Sequence, residues 1–504
     1  MKSVIAILLL FILAGCNSDY TGEKYKKDPL AKDQWYLDGS EYGYVDINLK
    51  NVPKYSTLVD DEPYKGDGVL VAIVDNGIDI YHEDLKTNIG NGSYSYLPKD
   101  YNFTNANHGT CCAGIIAAVE GNGIGIRGIA PHAKIIGYNA LKAPSISNIA
   151  DAFVRNKDRV WISSNSWGDF NSWGEPFKLR SLERAALEDG VKHGREGKGI
   201  VYVFSAGNGS SSDDVIATDN VNYSGLVNNR FTIPVGAVDE YGKKAYYSEV
   251  GATLMVVAPS KATKSAPGIT TTDVTGEEGF NPKMFKDDYM DHNYTKNFSG
   301  TSASAPMVSG VVALMLDANP NLTYRDVRII LAKSAKMNDK NDSDWCYNGA
   351  GYHINHRYGF GLVDAAKAVK LALDWKNVSK EIMIKRHKIV NKEIPDNDQI
   401  GIESHIDIDE NISIEFVDVF FDAPSHNRIG DLEVVLVSPS GTKSILAVRH
   451  HENFEGYFRY KNWRFGTVRN MGEGSKGCWK LIVKDLVSGK TGVLKAWELR
   501  IYGH

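Results

Sequence analysis

Six consecutive apolar residues, Val69-Leu70-Val71-Ala72-Ile73-Val74, run directly into Asp75-Asn76-Gly77. A strand with one wet face alternates in polarity. A strand without alternation is covered on both faces, as in the parallel sheets of α/β domains. The run therefore predicts a doubly wound parallel sheet. It also places the Asp75 carboxylate at a strand's carboxyl end, where open α/β sheets carry their sites. A second strand, Ile200 to Phe204, leads into Ser205-Ala206-Gly207-Asn208-Gly209, whose glycines let the Asn208 amide face a pocket without crowding.

Two helix starts extend the pattern. Gly300-Thr301-Ser302-Ala303-Ser304-Ala305-Pro306 precedes an apolar helical run, Val308 to Leu316. It sets the Ser302 hydroxyl at the positive end of a helix among small residues. Asn107-His108-Gly109-Thr110 opens another apolar helix, Cys111 to Val119. Taken singly, each signal has an ordinary explanation: strand-end aspartates cap helices, a lone histidine is usually structural, and Asn-Gly makes turns. Together they supply a weak nucleophile with a base, an orienting acid and an oxyanion donor. The chain order Asp, His, Ser is that of subtilisin. On these four motifs the chain resembles the subtilisin-like serine proteases. The resemblance implies that Ser302 is the nucleophile, His108 the general base, Asp75 its orienting acid and Asn208 the oxyanion donor.

A length of 504 residues implies more than one domain, and a net charge of −5 with no basic stripe excludes a nucleic-acid partner. After Tyr358-Gly359-Phe360-Gly361-Leu362-Val363-Asp364 comes a helical stretch, Ala365 to Trp375. From Ile382 onward the pattern is of short alternating strands: Ile406–Ile408, Ile412–Phe420, Asp431–Val437, Ser444–Val448, Trp479–Val483 and Ala496–Ile501. That is the signature of an all-β sandwich. Ile394-Pro395-Asp396-Asn397-Asp398, Gly430-Asp431-Leu432-Glu433-Val434, Ser438-Pro439-Ser440-Gly441-Thr442 and Leu494-Lys495-Ala496-Trp497-Glu498-Leu499 resemble the P domain of kexin-like proprotein convertases. Asp28-Pro29-Leu30, Gln34-Trp35-Tyr36-Leu37 and Lys192-His193-Gly194-Arg195 fit the same branch. The expected organisation is a targeting segment at 1–16, a catalytic domain at 17–376 and a jelly-roll-like P domain at 382–504.

The resemblance also implies where this chain departs. Kexins cleave after paired basic residues through acidic subsites, yet Asn76, Asn105 and Asn171 stand where acids are usual. Asp219 remains as an acid for the pocket that takes the residue before the scissile bond, P1. The expectation is a basic P1 residue with a relaxed demand at P2, in protein or peptide substrates. Family calcium sites map onto Asp28, Asp84 and Asn122 with the carbonyls of Val119, Ile124 and Ile126. A weaker match uses Asp214, Glu249 and Asn171. Too few residues separate Cys16 from Asp28 for a prodomain, so folding is expected to be unaided or to use a separately encoded chaperone. Cys111 replaces a usual arginine.

Lys2 and the apolar stretch Val4 to Leu13 form a short targeting segment ending in Leu13-Ala14-Gly15-Cys16, which resembles a bacterial lipobox. The implication is export, cleavage before Cys16, and lipidation of its thiol as a membrane anchor. The remaining cysteines are no disulfide framework. A bridge between Cys346 and Cys478 is conceivable, and a Cys112 thiol near His108 is expected to be a small buried apolar residue. Two other functions compete: a broad-specificity degradative protease, and an inactive surface binding protein.

Overall fold

The computed structural model describes residues 27–55, 62–100, 106–169, 174–210, 219–283, 287–452 and 457–504. Cys16, Asn105, Asn171 and Asp214 lie outside them. The first layer is a six-stranded parallel sheet of β1 (Leu70–Val74), β2 (Lys134–Tyr138), β3 (Ile162–Asn165), β4 (Val201–Ser205), β5 (Thr232–Val238) and β6 (Val256–Pro259), ordered β2-β1-β3-β4-β5-β6. Every residue of β1 is buried, as its uninterrupted apolar run requires. The strand order reverses beside β1, and such a reversal opens a crevice at the carboxyl ends of the strands.

Helices α1 (Asn107–Ala117), α2 (Ile146–Val154), α3 (Ser181–His193), α4 (Thr301–Ala318), α5 (Tyr324–Ser334) and α6 (Ala365–Leu373) cover the sheet. The apolar run of α4 is buried on every side from Thr301 to Leu316, which is why its sequence shows no polar face. Helix α1 ends two residues before the expected Val119, because Val119 N–H bonds the Asp84 carbonyl at 2.9 Å instead of continuing the helix. Between β6 and α4 lies an antiparallel pair, β7 (Ile269–Thr272) and β8 (Tyr294–Phe298). A short pair, β9 (Cys346–Tyr347) and β10 (His353–Ile354), precedes α6.

The second half is a sandwich of two antiparallel four-stranded sheets. One is ordered β11-β18-β13-β16, with β11 Ile382–Ile394, β13 Ile414–Asp422, β16 Trp463–Thr467 and β18 Gly492–Gly503. The other is ordered β12-β17-β14-β15, with β12 Ile402–Ile408, β14 Leu432–Val437, β15 Lys443–Ala447 and β17 Gly477–Asp485. Alternation is clean along β12 and β17, and Trp479 and Trp497 fill the space between the sheets. Two strands escape the alternation rule. β11 is a sheet edge with most residues exposed and a register shift at Ile389/Lys392. β16 contains Gly466, where a Cβ would lie 2.6 Å from both the Asn228 carbonyl and the Phe416 ring. Cys346 and Cys478 are free and exposed, so the conceivable bridge is not formed: Cys478 faces His405 across the β12–β17 pair, and Cys346 lies beside Arg469.

The two halves share polar contacts as well as apolar ones. Asn222 Nδ2 donates to Gly466 O at 3.1 Å, and Gly466 N–H returns a bond to Asn222 Oδ1 at 2.8 Å. Arg325 on α5 grips Glu415 on β13 with Nε and Nη2, at 2.8 and 2.5 Å, and the two side chains are only 11% and 6% exposed. His504 Nδ1 also reaches Glu415, at 2.8 Å. Removing one partner strands a charge in a desolvated interface. Arg325→Ala should therefore destabilise the protein by about 3–5 kcal/mol, visible as a lowered denaturation midpoint. Replacing both residues by apolar ones of similar size should cost much less.

Candidate active site

Asp75 follows β1 and is 1% exposed. Its Oδ1 accepts the Asn76 N–H at 2.7 Å, and both its oxygens lie 2.9 Å from His108 Nδ1. His108 is the second residue of α1, where the positive helix end disfavours an imidazolium. Burial opposes protonation too, but the Asp75 carboxylate outweighs it and holds the imidazole above its ordinary 6.5. Gly109 lets this turn approach β1, since a Cβ there would fall 1.9 Å from the Gly77 carbonyl.

Asn76, expected to contact substrate, is bonded to α1. Its Nδ2 donates to Asn107 Oδ1 at 2.9 Å, and its Oδ1 accepts Gly109 N–H at 2.9 Å. The amide thus pins the first turn of α1, and with it the imidazole, to the end of β1.

Ser302 is the second residue of α4 and 9% exposed. Its hydroxyl donates to the Ser166 carbonyl at 3.1 Å. Pro306 lacks the N–H that would bond the Ser302 carbonyl four residues back. Ser166 Oγ takes that carbonyl at 3.1 Å, with the Cys112 thiol 3.7 Å away. Cys112 is therefore a packed thiol that touches both neighbours: its sulfur lies within 4.8 Å of the Asp75 and His108 ligand atoms, and burial pushes it well above its usual range. The Ser302 backbone N–H belongs to the first turn, which the helix itself cannot satisfy.

Asn208 follows β4 and is exposed. Its Oδ1 accepts Thr301 N–H at 2.9 Å and Thr301 Oγ1–H at 3.0 Å, which turns Nδ2 outward as a donor. Thr301 was not singled out from the sequence, although it stands in the quoted heptapeptide. Gly300 has φ +81°, and a Cβ there would sit 3.3 Å from Asn208 Nδ2.

Carboxyls gather behind Asn208. Asp219 is 4% exposed and pushed up to about 8, chiefly by burial, with the charges of Asp169 and Glu175 adding to it. Glu249 is raised well above its usual range by burial and then by Asp219. It accepts Gly209 N–H at 3.1 Å, and a Cβ on Gly207 would meet it at 2.0 Å, so it braces the Asn208 turn. Asp169, raised by burial, receives the Ser224 hydroxyl at 2.6 Å. It stands two residues before Asn171, and nothing in its local sequence marks it as a pocket acid.

A second acidic cluster lies away from the catalytic groups. Asp84 is 0% exposed, and burial pushes its carboxyl up to about 7 with the Asp28 and Glu83 charges contributing. Asn122 Nδ2 donates to Asp84 Oδ1 at 2.7 Å and Ile126 N–H to Oδ2 at 2.9 Å. Asp28 accepts Gly121 N–H at 2.8 Å and Gly123 N–H at 3.1 Å. No lysine or arginine is ion-paired with either carboxylate among the described residues. Two carboxyls raised by burial, with no basic side chain paired to them among the described residues, are groups that a hard divalent cation would neutralise.

A family model described as the subtilase family matches residues 66–361, and one described as the proprotein convertase P-domain matches residues 419–501. A "PC3-like endoprotease variant B" of Hydra vulgaris is 32% identical over 478 residues, covering 91% of this chain and 63% of its own length. The "dibasic-processing endoprotease" of Schizosaccharomyces pombe is 34% identical over 506 residues, covering 94% of this chain and 65% of its own. The chain thus spans less than two thirds of the length of either relative. The serine protease of Aeromonas sobria, solved in complex with a chaperone, superimposes with a TM-score of 0.81 at 25% identity, covering 95% of both chains. With its parallel-sheet half matched throughout and a P domain behind it, this chain belongs to the subtilase family, in the company of the proprotein convertases.

Proposed function

We propose that the protein is a serine endopeptidase. The observation that carries this reading is the His108 imidazole held 2.9 Å from both Asp75 oxygens, in a chain that also presents Ser302 at a helix start and an amide whose oxygen is held by Thr301. On substrate binding, the Ser302 hydroxyl leaves the Ser166 carbonyl for the imidazole, attacks the scissile carbonyl and passes its proton to His108. Asp75 stabilises the imidazolium. Asn208 Nδ2 and the Ser302 N–H receive the developing oxyanion, and a donor of this kind is worth about 10²–10³ in kcat. His108 then gives the proton to the leaving amine, and water repeats the cycle on the acyl-enzyme. A fluorophosphonate probe should label the wild type and not Ser302→Ala; absence of wild-type labelling would end this reading.

The carboxyls behind Asn208 support a basic P1 residue. Asp219, raised by burial and then by Asp169 and Glu175, gains from a substrate guanidinium or ammonium that returns it to its charged form. The amide of Asn76, spent on α1, supports a relaxed demand at P2. Calcium is proposed for the Asp28, Asp84 and Asn122 cluster, with the carbonyls of Val119, Ile124 and Ile126 completing the shell. Glu249 alone of the second expected calcium set lies among the described residues. Anchoring through a lipidated Cys16 after export rests on the sequence alone. A separately encoded folding chaperone is supported by the Aeromonas sobria complex.

Two further measurements bear on this proposal. The base must be neutral to accept a proton, and Asp75 raises its titration point, so kcat/KM should fall as pH drops through a value above 6.5. Asp75→Asn should move that limb to lower pH while lowering kcat by about 10⁴. A limb left in place would remove Asp75 from the role. Chelation with EDTA should lower the melting temperature of the wild type, and Asp84→Asn should abolish that response. Equal melting curves with and without EDTA would exclude the cation.

A further inference from the structure

Residues 273–283 and 287–293 lie in the connection from β7 to β8. The base of this connection is tightly built. Asp273, 0% exposed, accepts Val274 N–H and Asn281 N–H, both at 2.8 Å, and also Phe280 N–H. Asn281, also 0% exposed, donates to Tyr289 O at 2.8 Å and Tyr294 O at 2.9 Å. Asp79 receives Thr275 N–H at 3.0 Å and its hydroxyl at 2.6 Å. Gly279 lies so close to Asp273 that a Cβ would fall 2.2 Å from Oδ1.

All this order fixes one residue that is not buried. Phe280 is 41% exposed, and its ring centroid lies 6.5 Å from His108 and 5.8 Å from Phe298. Phe298 is 4% exposed and 5.4 Å from the imidazole. The two phenyl rings and the imidazole make one apolar ledge. An exposed aromatic ring already held by its backbone gives up little freedom when a partner covers it.

The ledge has a side. Ser166 and Asn208 bond Ser302 and Thr301, and the proposed basic pocket lies behind Asn208, so that flank belongs to the acyl part of the substrate. β7 is bonded instead to α1, Thr271 Oγ1 to the Cys111 carbonyl at 2.6 Å and Thr272 Oγ1 to the Thr110 carbonyl at 2.7 Å. We propose that Phe280, backed by the buried Phe298, binds the residue immediately after the scissile bond, P1′, and selects bulky apolar side chains there. This deepens the serine endopeptidase reading and rests on it.

The test uses the full chain and peptides that share one acyl sequence but carry Gly, Leu or Phe at P1′. The wild type should cleave the Leu and Phe peptides with kcat/KM about tenfold above the Gly peptide. Phe280→Ala should bring that ratio near one, and Phe280→Leu should keep part of it. A flat P1′ profile in the wild type, an unchanged ratio in Phe280→Ala, or a Phe280-dependent preference at P2 would overturn the ledge. Fluorophosphonate labelling of the same samples separates the two claims: labelled enzyme with a flat profile overturns the ledge alone, and unlabelled enzyme overturns the peptidase reading beneath it.

Discussion

Everything at the site hangs from the first turn of α4. That helix is buried on all sides, so its axis is fixed by packing, and the position of its N-terminus is fixed with it. Gly300 makes the entry at a φ that other residues resist, and Pro306 releases a carbonyl that Ser166 then ties to β3's exit. Thr301 orients the amide from β4, and Ser302 presents the hydroxyl. One turn of helix therefore joins the ends of two parallel strands, and β1 contributes through Asp75 and α1. The fold's rigidity is spent on a few ångströms of backbone.

Buried charge is the second organising theme. Among the carboxylates held out of water, four settings contrast. Asp75 faces an imidazole. Glu415 is gripped by an arginine. Asp84 and Asp28 rest on backbone N–H groups and a neighbouring amide. Asp219 and Glu249 each accept one backbone N–H, and Asp219 raises Glu249 beyond what burial does. The first two arrangements are complete in themselves. In the last two, burial raises the carboxyls, and that is the physical support for proposing them as binding places.

The sequence reveals what depends on short range. Six apolar residues before Asp75 suffice to read β1, and alternation marks the end of β12 and most of β17. The strand β11 is unreadable because an edge strand wet on both faces has no polarity period, and β16 because Gly466 and Arg464 interrupt it for the sake of Asn222 and Asn228 far earlier in the chain. At the site, the residue types and their order are legible, but their orientation is not. Nothing local says that Thr301 fixes the Asn208 amide across ninety-three positions, or that Asn76 is consumed by α1. The aromatic ledge is hidden for the same reason, because Phe280 gains meaning only when its connection folds back over His108.

The sandwich has a consequence for synthesis. β18 lies between β11 and β13, so the sheet that carries Glu415 and Gly466 cannot close until that strand has emerged from the ribosome. Until then Arg325, Asn222 and Asn228 of the parallel-sheet half have only the β13–β16 pair to cover them, without the strand that joins it to β11. A nascent chain of this kind has a vulnerable interval whose length is set by translation speed, and slow codons ahead of Gly492 would lengthen it.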